Sequence, residues 1–149
     1  LLKIWRILPF WVRRIASAIL RPHYQVVGAM IFNDQKQLLL CEHTCRRLHP
    51  WGLPGGDLRT GEDPVDGIEH EIREETGLTV QDARLLLVEN SIKIRQVALP
   101  YHCAGVSGTF LPNEEVSSIL YFDIGKLPDF FQEHRVTIEI CLAILNTEN

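Results

Sequence analysis

The chain has 149 residues, 46% of them hydrophobic and 23% charged, with 10 Gly, 8 Pro and three Trp, which fits one globular domain able to bury a core. That composition excludes a disordered, collagenous or low-complexity chain. A formal net charge of −4 argues against a DNA-binding surface, yet it conceals an asymmetry. Residues 1–21 carry five basic side chains (Lys3, Arg6, Arg13, Arg14 and Arg21) and no acidic one, leaving ten basic and nineteen acidic groups, a net −9, on the other 128 residues.

In chain order, residues 1–20 alternate bulky apolar groups, Trp5 and Trp11 among them, with cations. Helical periodicity is expected there, interrupted near Pro9. Arg6, Pro9, Arg13 and Arg14 break the apolar run well short of the roughly 18 residues of a membrane span. They also disfavour a secretory signal. The chain opens on Leu1, so its true start is expected upstream. The basic segment, taken as 1–22, is expected to pack on its own domain or across a homodimer. Peripheral contact of residues 1–21 with an anionic membrane surface is the alternative. From Tyr24 the texture becomes strand-like. Gln25 to Phe32, a turn at Asn33-Asp34 and Gln37 to Cys41 read as a hairpin-like pair.

Cys41, His43, Cys45 and His49 cluster, but their offsets do not match a zinc finger. Cys41 is expected to end a buried strand, with the others in the following loop. Four scattered cysteines point to a reducing, cytoplasmic setting rather than a disulfide scaffold. The stretch His49 to Gly56 announces a loop, Asp63-Pro64 opens a helix and Gly77 closes it. Leu78 to Val88, Ile94 to Ala104, Val106 to Leu111 and Ile119 to Ile124 carry strand-type runs. His134 to Asn146 reads as a final helix whose packed face holds Val136, Ile140, Ala143 and Ile144. Mixed strands framing a central and a terminal helix predict an α/β or α+β sandwich with helices on both faces.

The central helix carries the chemistry. Val65, Ile68 and Ile72 form its expected core stripe, while Glu71, Glu74 and Glu75 share another face. Glu62, Asp63, Asp66, Glu69, Glu71, Glu74 and Glu75 put seven negative charges in this helix and its approach, against His70 and Arg73. Like charges that close repel, and a hard divalent cation, Mg²⁺ or Mn²⁺, relieves them while recruiting phosphates. The Gly55-Gly56 pair lets backbone approach closely. Gly67, inside the helix, costs about 1 kcal/mol relative to Ala unless something packs tightly against it.

The segment Gly56 to Leu78, GDLRTGEDPVDGIEHEIREETGL, resembles the Nudix box: Gly, five residues, Glu, seven residues, then Arg-Glu-apolar-any-Glu-Glu-any-Gly-apolar. Gly56, Glu62, Glu71, Ile72, Glu74, Glu75, Gly77 and Leu78 occupy eight of the nine specified positions, and His70 stands where the pattern has Arg. The resemblance implies a Nudix-like α/β/α sandwich with a mixed β-sheet, a catalytic helix after a Gly-rich loop and a C-terminal helix, spanning 23–149. It also implies metal-dependent hydrolysis of a pyrophosphate bond in a nucleoside diphosphate linked to another moiety. Glu74, Glu75 and the Gly55 carbonyl then look like metal ligands, and Glu71 a ligand or the base that activates water. Glu115, or its neighbour Glu114, is the later acidic ligand that family members often supply. Glu62 and His70 resemble the pair that steadies the box, with Gly56 and Gly77 as its structural glycines.

A histidine at 70 implies weaker or more pH-dependent activity than an arginine would. Arg46, Arg47 and Arg59 are candidate phosphate contacts, and Tyr101 and His102 candidate contacts to a base or sugar of a small nucleotide substrate. Subfamily markers for ADP-ribose and dinucleoside polyphosphates are absent, since Lys93 and Ile94 hold those positions. A Nudix-like regulator that binds a nucleotide without turning it over is the alternative reading. An isoprenoid diphosphate isomerase lacks a recognisable Cys and Glu pair here.

Overall fold

The structure, a computed structural model, describes residues 24–129 and 132–147 together with Pro9, Trp11, Val12 and Ile15. The basic segment expected at 1–22 thus lies largely outside the described residues. Among those described, no helix is long and apolar enough to cross a membrane.

Strand β1 (Tyr24–Ile31) runs parallel to β7 (Gln96–Ala104), which also takes β5 (Asp82–Leu85) and β6 (Glu89–Ser91) antiparallel. A second sheet has β2 (Leu38–His43) between β3 (Trp51–Gly52) and β9 (Val116–Phe122). The short strands β4 (Leu78–Thr79) and β8 (Ser107–Gly108) pair with each other. Among the described residues, helix α1 (Pro64–Thr76), a 3-10 turn (Ile124–Lys126) and helix α2 (Gln132–Thr147) join the sheets.

Alternation along β1 separates two cores. Val27, Ala29 and Ile31 face α1, where Ile68 and Ile72 meet Leu39, Tyr101 and Cys103. Met30 faces α2, where Ile138 and Cys141 meet Leu38 and Leu40. Helices therefore cover both faces of a mixed sheet layer.

Local chemistry explains α1. Asp63 caps it by accepting a hydrogen bond from the Val65 N–H at 2.9 Å, Pro64 fills the first turn, and Gly77 closes it at φ 74° in the left-handed region. Gly67 is explained as well: a Cβ there would stand 2.2 Å from Leu58 Cδ2, so the glycine admits Leu58 against the helix.

Three expectations need correction. β1 and β2 are not a hairpin pair. Asn33 Oδ1 does make the turn, accepting from the Gln35 and Gln37 N–H groups at 3.1 and 2.9 Å, but only Phe32 and Leu38 bridge across it. The strands then splay into separate sheets, because both bury residues on both faces and each needs its own neighbours. Val65 is 38% exposed, so the α1 stripe reduces to Ile68 and Ile72. On α2 the packed residues are Ile138 and Cys141, with Val136 and Ile140 at 44% and 45% exposure. The period was legible and its phase was not, since apolar residues occur on several sides of this helix.

Candidate active site

Two short connections bring the acidic groups together. After β3, Pro54, Gly55 and Gly56 run beside β1: the Ala29 N–H donates to the Pro54 carbonyl at 2.8 Å and the Val27 N–H to the Gly56 carbonyl at 2.9 Å. The Gly55 carbonyl between them takes no backbone hydrogen bond among the described residues. A side chain on Gly55 would collide with backbone, and one on Gly56 would displace the Glu71 carboxylate. Gly55 has φ +144°, and a Cβ on it would stand 2.1 Å from the Val27 carbonyl oxygen; a Cβ on Gly56 would meet Glu71 Oε2 at 2.3 Å. The glycines thus press the backbone onto the acidic face of α1.

Glu75 is 5% exposed and points inward. Its Oε2 accepts the Gly55 N–H at 2.8 Å, and its Oε1 stands 3.4 Å from His43 Nδ1. Burial pushes its carboxyl up to about 7; Glu71 and Glu115 add to the rise, while the Gly55 N–H and Arg46 oppose it. Burial, aided by Arg46, holds His43 down at about 4. His43 is the last residue of β2 rather than part of the loop, and its Nε2 is buried without a hydrogen-bond partner. Half-buried Glu71 is also raised, by desolvation first and then by Glu74 and Glu115.

Glu115 reaches this neighbourhood through Asn113. The Asn113 side-chain amide donates to the Glu74 and Glu75 carbonyls at 3.1 and 2.9 Å, satisfying acceptors that the last turn of a helix leaves open. Its Oδ1 accepts the Glu115 and Val116 N–H groups at 2.8 and 2.9 Å. The loop is thereby tied to the end of α1. Sequence reading missed Asn113, and it named His43 only as part of a cysteine and histidine cluster placed in the loop. Period-two alternation, which puts His43 on the face of Leu39 and Cys41, was the available signal for the second.

Glu74 lies on the outer side. His70 Nε2 stands 2.7 Å from its Oε1, and Arg59 Nη2 3.5 Å from each of its oxygens. The His70 hydrogen bond, with Arg59 nearby, holds its carboxyl below the usual range. His70 Nδ1 in turn stands 3.2 Å from Glu62 Oε1, so the expected pairing of Glu62 with residue 70 is present.

The candidate substrate residues divide. Arg46 lines a cavity of about 560 Å³ between the sheet and α2, which also touches Gly55, Gly56, Gln96, Glu89 and Ile138. A Cβ on Gly52 would sit 2.4 Å from Arg46 Nη1, so that glycine makes room for the guanidinium. Arg47 is exposed. Arg59 is turned to the α1 carboxylates. Tyr101 is 4% exposed in the core beneath α1, a position closed to a base or sugar. His102 is half-buried with its ring centroid 6.0 Å from that of Phe32.

Among the described residues, no three His, Cys, Asp or Glu side chains already enclose one point. Glu74 is engaged by His70 and Arg59, and Glu75 by Gly55 and His43. The donor chemistry nonetheless fits a hard divalent cation: Glu71 and Glu75 are crowded oxygen donors with Glu115 close to both, and the Gly55 carbonyl accepts no backbone hydrogen bond among the described residues.

A NUDIX domain family model matches residues 22–139. The chain belongs to the NUDIX family. It is 31% identical over 114 residues to a Bacillus subtilis (strain 168) protein named "Putative ADP-ribose pyrophosphatase YjhB", covering 72% of this chain and 53% of that one. It is 35% identical over 65 residues to the 8-oxo-dGDP phosphatase NUDT18 of Danio rerio, covering 43% of this chain and 20% of that protein. The chain therefore spans about half the length of the first and a fifth of the second. Among solved structures, a MutT NUDIX hydrolase from Burkholderia pseudomallei superposes with a TM-score of 0.68 at 27% identity, over 78% of this chain and 95% of that one.

Proposed function

We propose that the protein hydrolyses a phosphoanhydride bond in a nucleoside diphosphate linked to a further group, with Mg²⁺ or Mn²⁺. The observation that carries this reading is that Gly55-Gly56, which line the cavity together with Arg46, are pressed against Glu75 and Glu71 of α1, with Glu115 near enough to raise both carboxyls. Glu71, Glu74, Glu75, Glu115 and the Gly55 carbonyl would hold the cation. When bound, it supplies polarisation of phosphoryl oxygens and a more acidic water.

The protein's own groups account for the rest. Glu71, with its raised carboxyl, accepts the proton of the attacking water. Arg46 meets phosphate oxygens as water attacks phosphorus and the bond to the leaving phosphate breaks. The nucleoside enters the cavity. Among the described lining, Val26, Leu53 and Ile138 offer a base aliphatic contact, and Gln96, Glu89 and Ser91 offer it hydrogen-bonding partners. Nucleotide sugars, ADP-ribose and nucleoside triphosphates, ordinary or oxidised, are the substrate classes; one relative's name carries ADP-ribose and another's an oxidised nucleoside diphosphate, 8-oxo-dGDP. Buried thiols at Cys41, Cys103 and Cys141 suit a reducing compartment, the cytoplasm.

Incubation with such a panel and Mg²⁺, read by phosphorus NMR, tests the proposal. Release of a nucleoside monophosphate or of inorganic phosphate that E74Q abolishes is expected. A panel left intact would favour the nucleotide-binding regulator instead.

A further inference from the structure

Arg59, Glu62, His70 and Glu74 form a closed circuit on the outer side of α1. The Arg59 backbone N–H donates to Glu62 Oε2 at 2.9 Å. Glu62 Oε1 stands 3.2 Å from His70 Nδ1, and His70 Nε2 stands 2.7 Å from Glu74 Oε1. The Arg59 guanidinium returns from the loop before α1, its Nη2 lying 2.8 Å from His70 Nε2 and 3.5 Å from both Glu74 oxygens.

Donating to both carboxylates takes an N–H on each ring nitrogen, so His70 bridges Glu62 and Glu74 only as an imidazolium, and its Nε2, when it donates to Glu74, does not accept from Arg59. The ring brings no permanent charge and no fork. Arg59 adds both at the point where His70 falls short. Its side chain is 63% exposed, yet it turns back onto the helix rather than toward the cavity.

We propose that Arg59 is a positioning residue that, jointly with His70, does the work of the single arginine which the box pattern places at 70. The two side chains divide that arginine between them: His70 carries the bridge from Glu62 to Glu74, and Arg59 carries the permanent positive charge beside Glu74. Arg59 therefore acts through Glu74 and not on a substrate phosphate. This inference uses the proposed hydrolysis for its kinetic arm only.

The test is a double-substitution cycle of R59Q and H70R. In the His70 background R59Q lowers kcat about tenfold while KM stays within about twofold, because an oriented carboxylate is lost and no substrate contact is. In the H70R background, where one arginine again spans both glutamates, R59Q changes kcat by less than about twofold. Melting in EDTA gives an arm that needs no activity: R59Q lowers Tm by about 2 °C in the parent chain and leaves it unchanged when H70R or E74Q is present. The E74Q background serves if H70R does not fold. A KM rise at constant kcat would make Arg59 a substrate contact and overturn the inference. So would an R59Q loss of Tm equal in all backgrounds. A parent chain without hydrolase activity would refute the proposed function but leave the thermal arm to decide this one.

Discussion

Replacing Glu75 by Gln makes the stability of the metal-free protein more dependent on pH, although it removes a titrating group. Folding raises Glu75 from its ordinary 4.5 to about 7 and lowers His43 from 6.5 to about 4. A raised carboxyl costs stability as pH climbs from 4.5 toward 7, because the unfolded chain has already released the proton. A depressed imidazole costs stability as pH falls from 6.5 toward 4, because the unfolded chain has already gained one. Between pH 4.5 and 6.5 the folded pair holds one proton, on Glu75, and the unfolded pair holds one, on His43. The slopes cancel. In E75Q only His43 titrates, so acidification through this window removes up to roughly 1 kcal/mol per pH unit, less where water reaches the pair. Urea unfolding of both proteins in EDTA, at several pH values inside the window, measures the difference, in which groups not coupled to Glu75 cancel. A difference in unfolding free energy that stays constant from pH 5 to 6.5 would refute the assignment.

Gly55→Ala is expected to cost about 3 kcal/mol, since a strained φ and the Val27 carbonyl force the loop off β1 and its two hydrogen bonds; an unchanged urea midpoint would count against the close approach. Asn113→Ala removes two caps from α1 and the turn that carries Glu115, so a loss of about 1–2 kcal/mol in urea unfolding should accompany a fall in kcat. Arg46→Gln should raise KM about tenfold, equivalent to roughly 1.4 kcal/mol, with kcat nearly kept. Gly52→Ala should do the same by displacing the guanidinium, and steady-state kinetics of the two variants would separate a phosphate contact from a structural arginine.

Local signals carried most of what was legible in the sequence. Asp63, Pro64 and Gly77 bound α1 because capping is decided within a few residues, and the offsets of Glu71, Glu74 and Glu75 announced an acidic face for the same reason. Partnership between distant segments was not legible. The Asn33 turn has hairpin chemistry, but β1 found its partner about 70 residues on, at β7, and no local pattern reports that. Helical offsets put Glu74 and Glu75 on one face, but tertiary contacts part them: His43, from β2, and Gly55 hold Glu75 inward, while Arg59 and His70 hold Glu74 outward. Tyr101 looked available on a strand until α1 covered it.

The measurement that bears most directly on the proposed chemistry is hydrolysis in ¹⁸O-water with Mg²⁺, wild type against E71Q, followed by mass spectrometry of the phosphate products. The arrangement of Glu71 and Glu75 against Gly55-Gly56 predicts one ¹⁸O per bond cleaved, carried on a phosphorus atom, with turnover abolished by EDTA and lowered at least about hundredfold in E71Q. Unlabelled phosphate products, or turnover indifferent to both EDTA and E71Q, would contradict it.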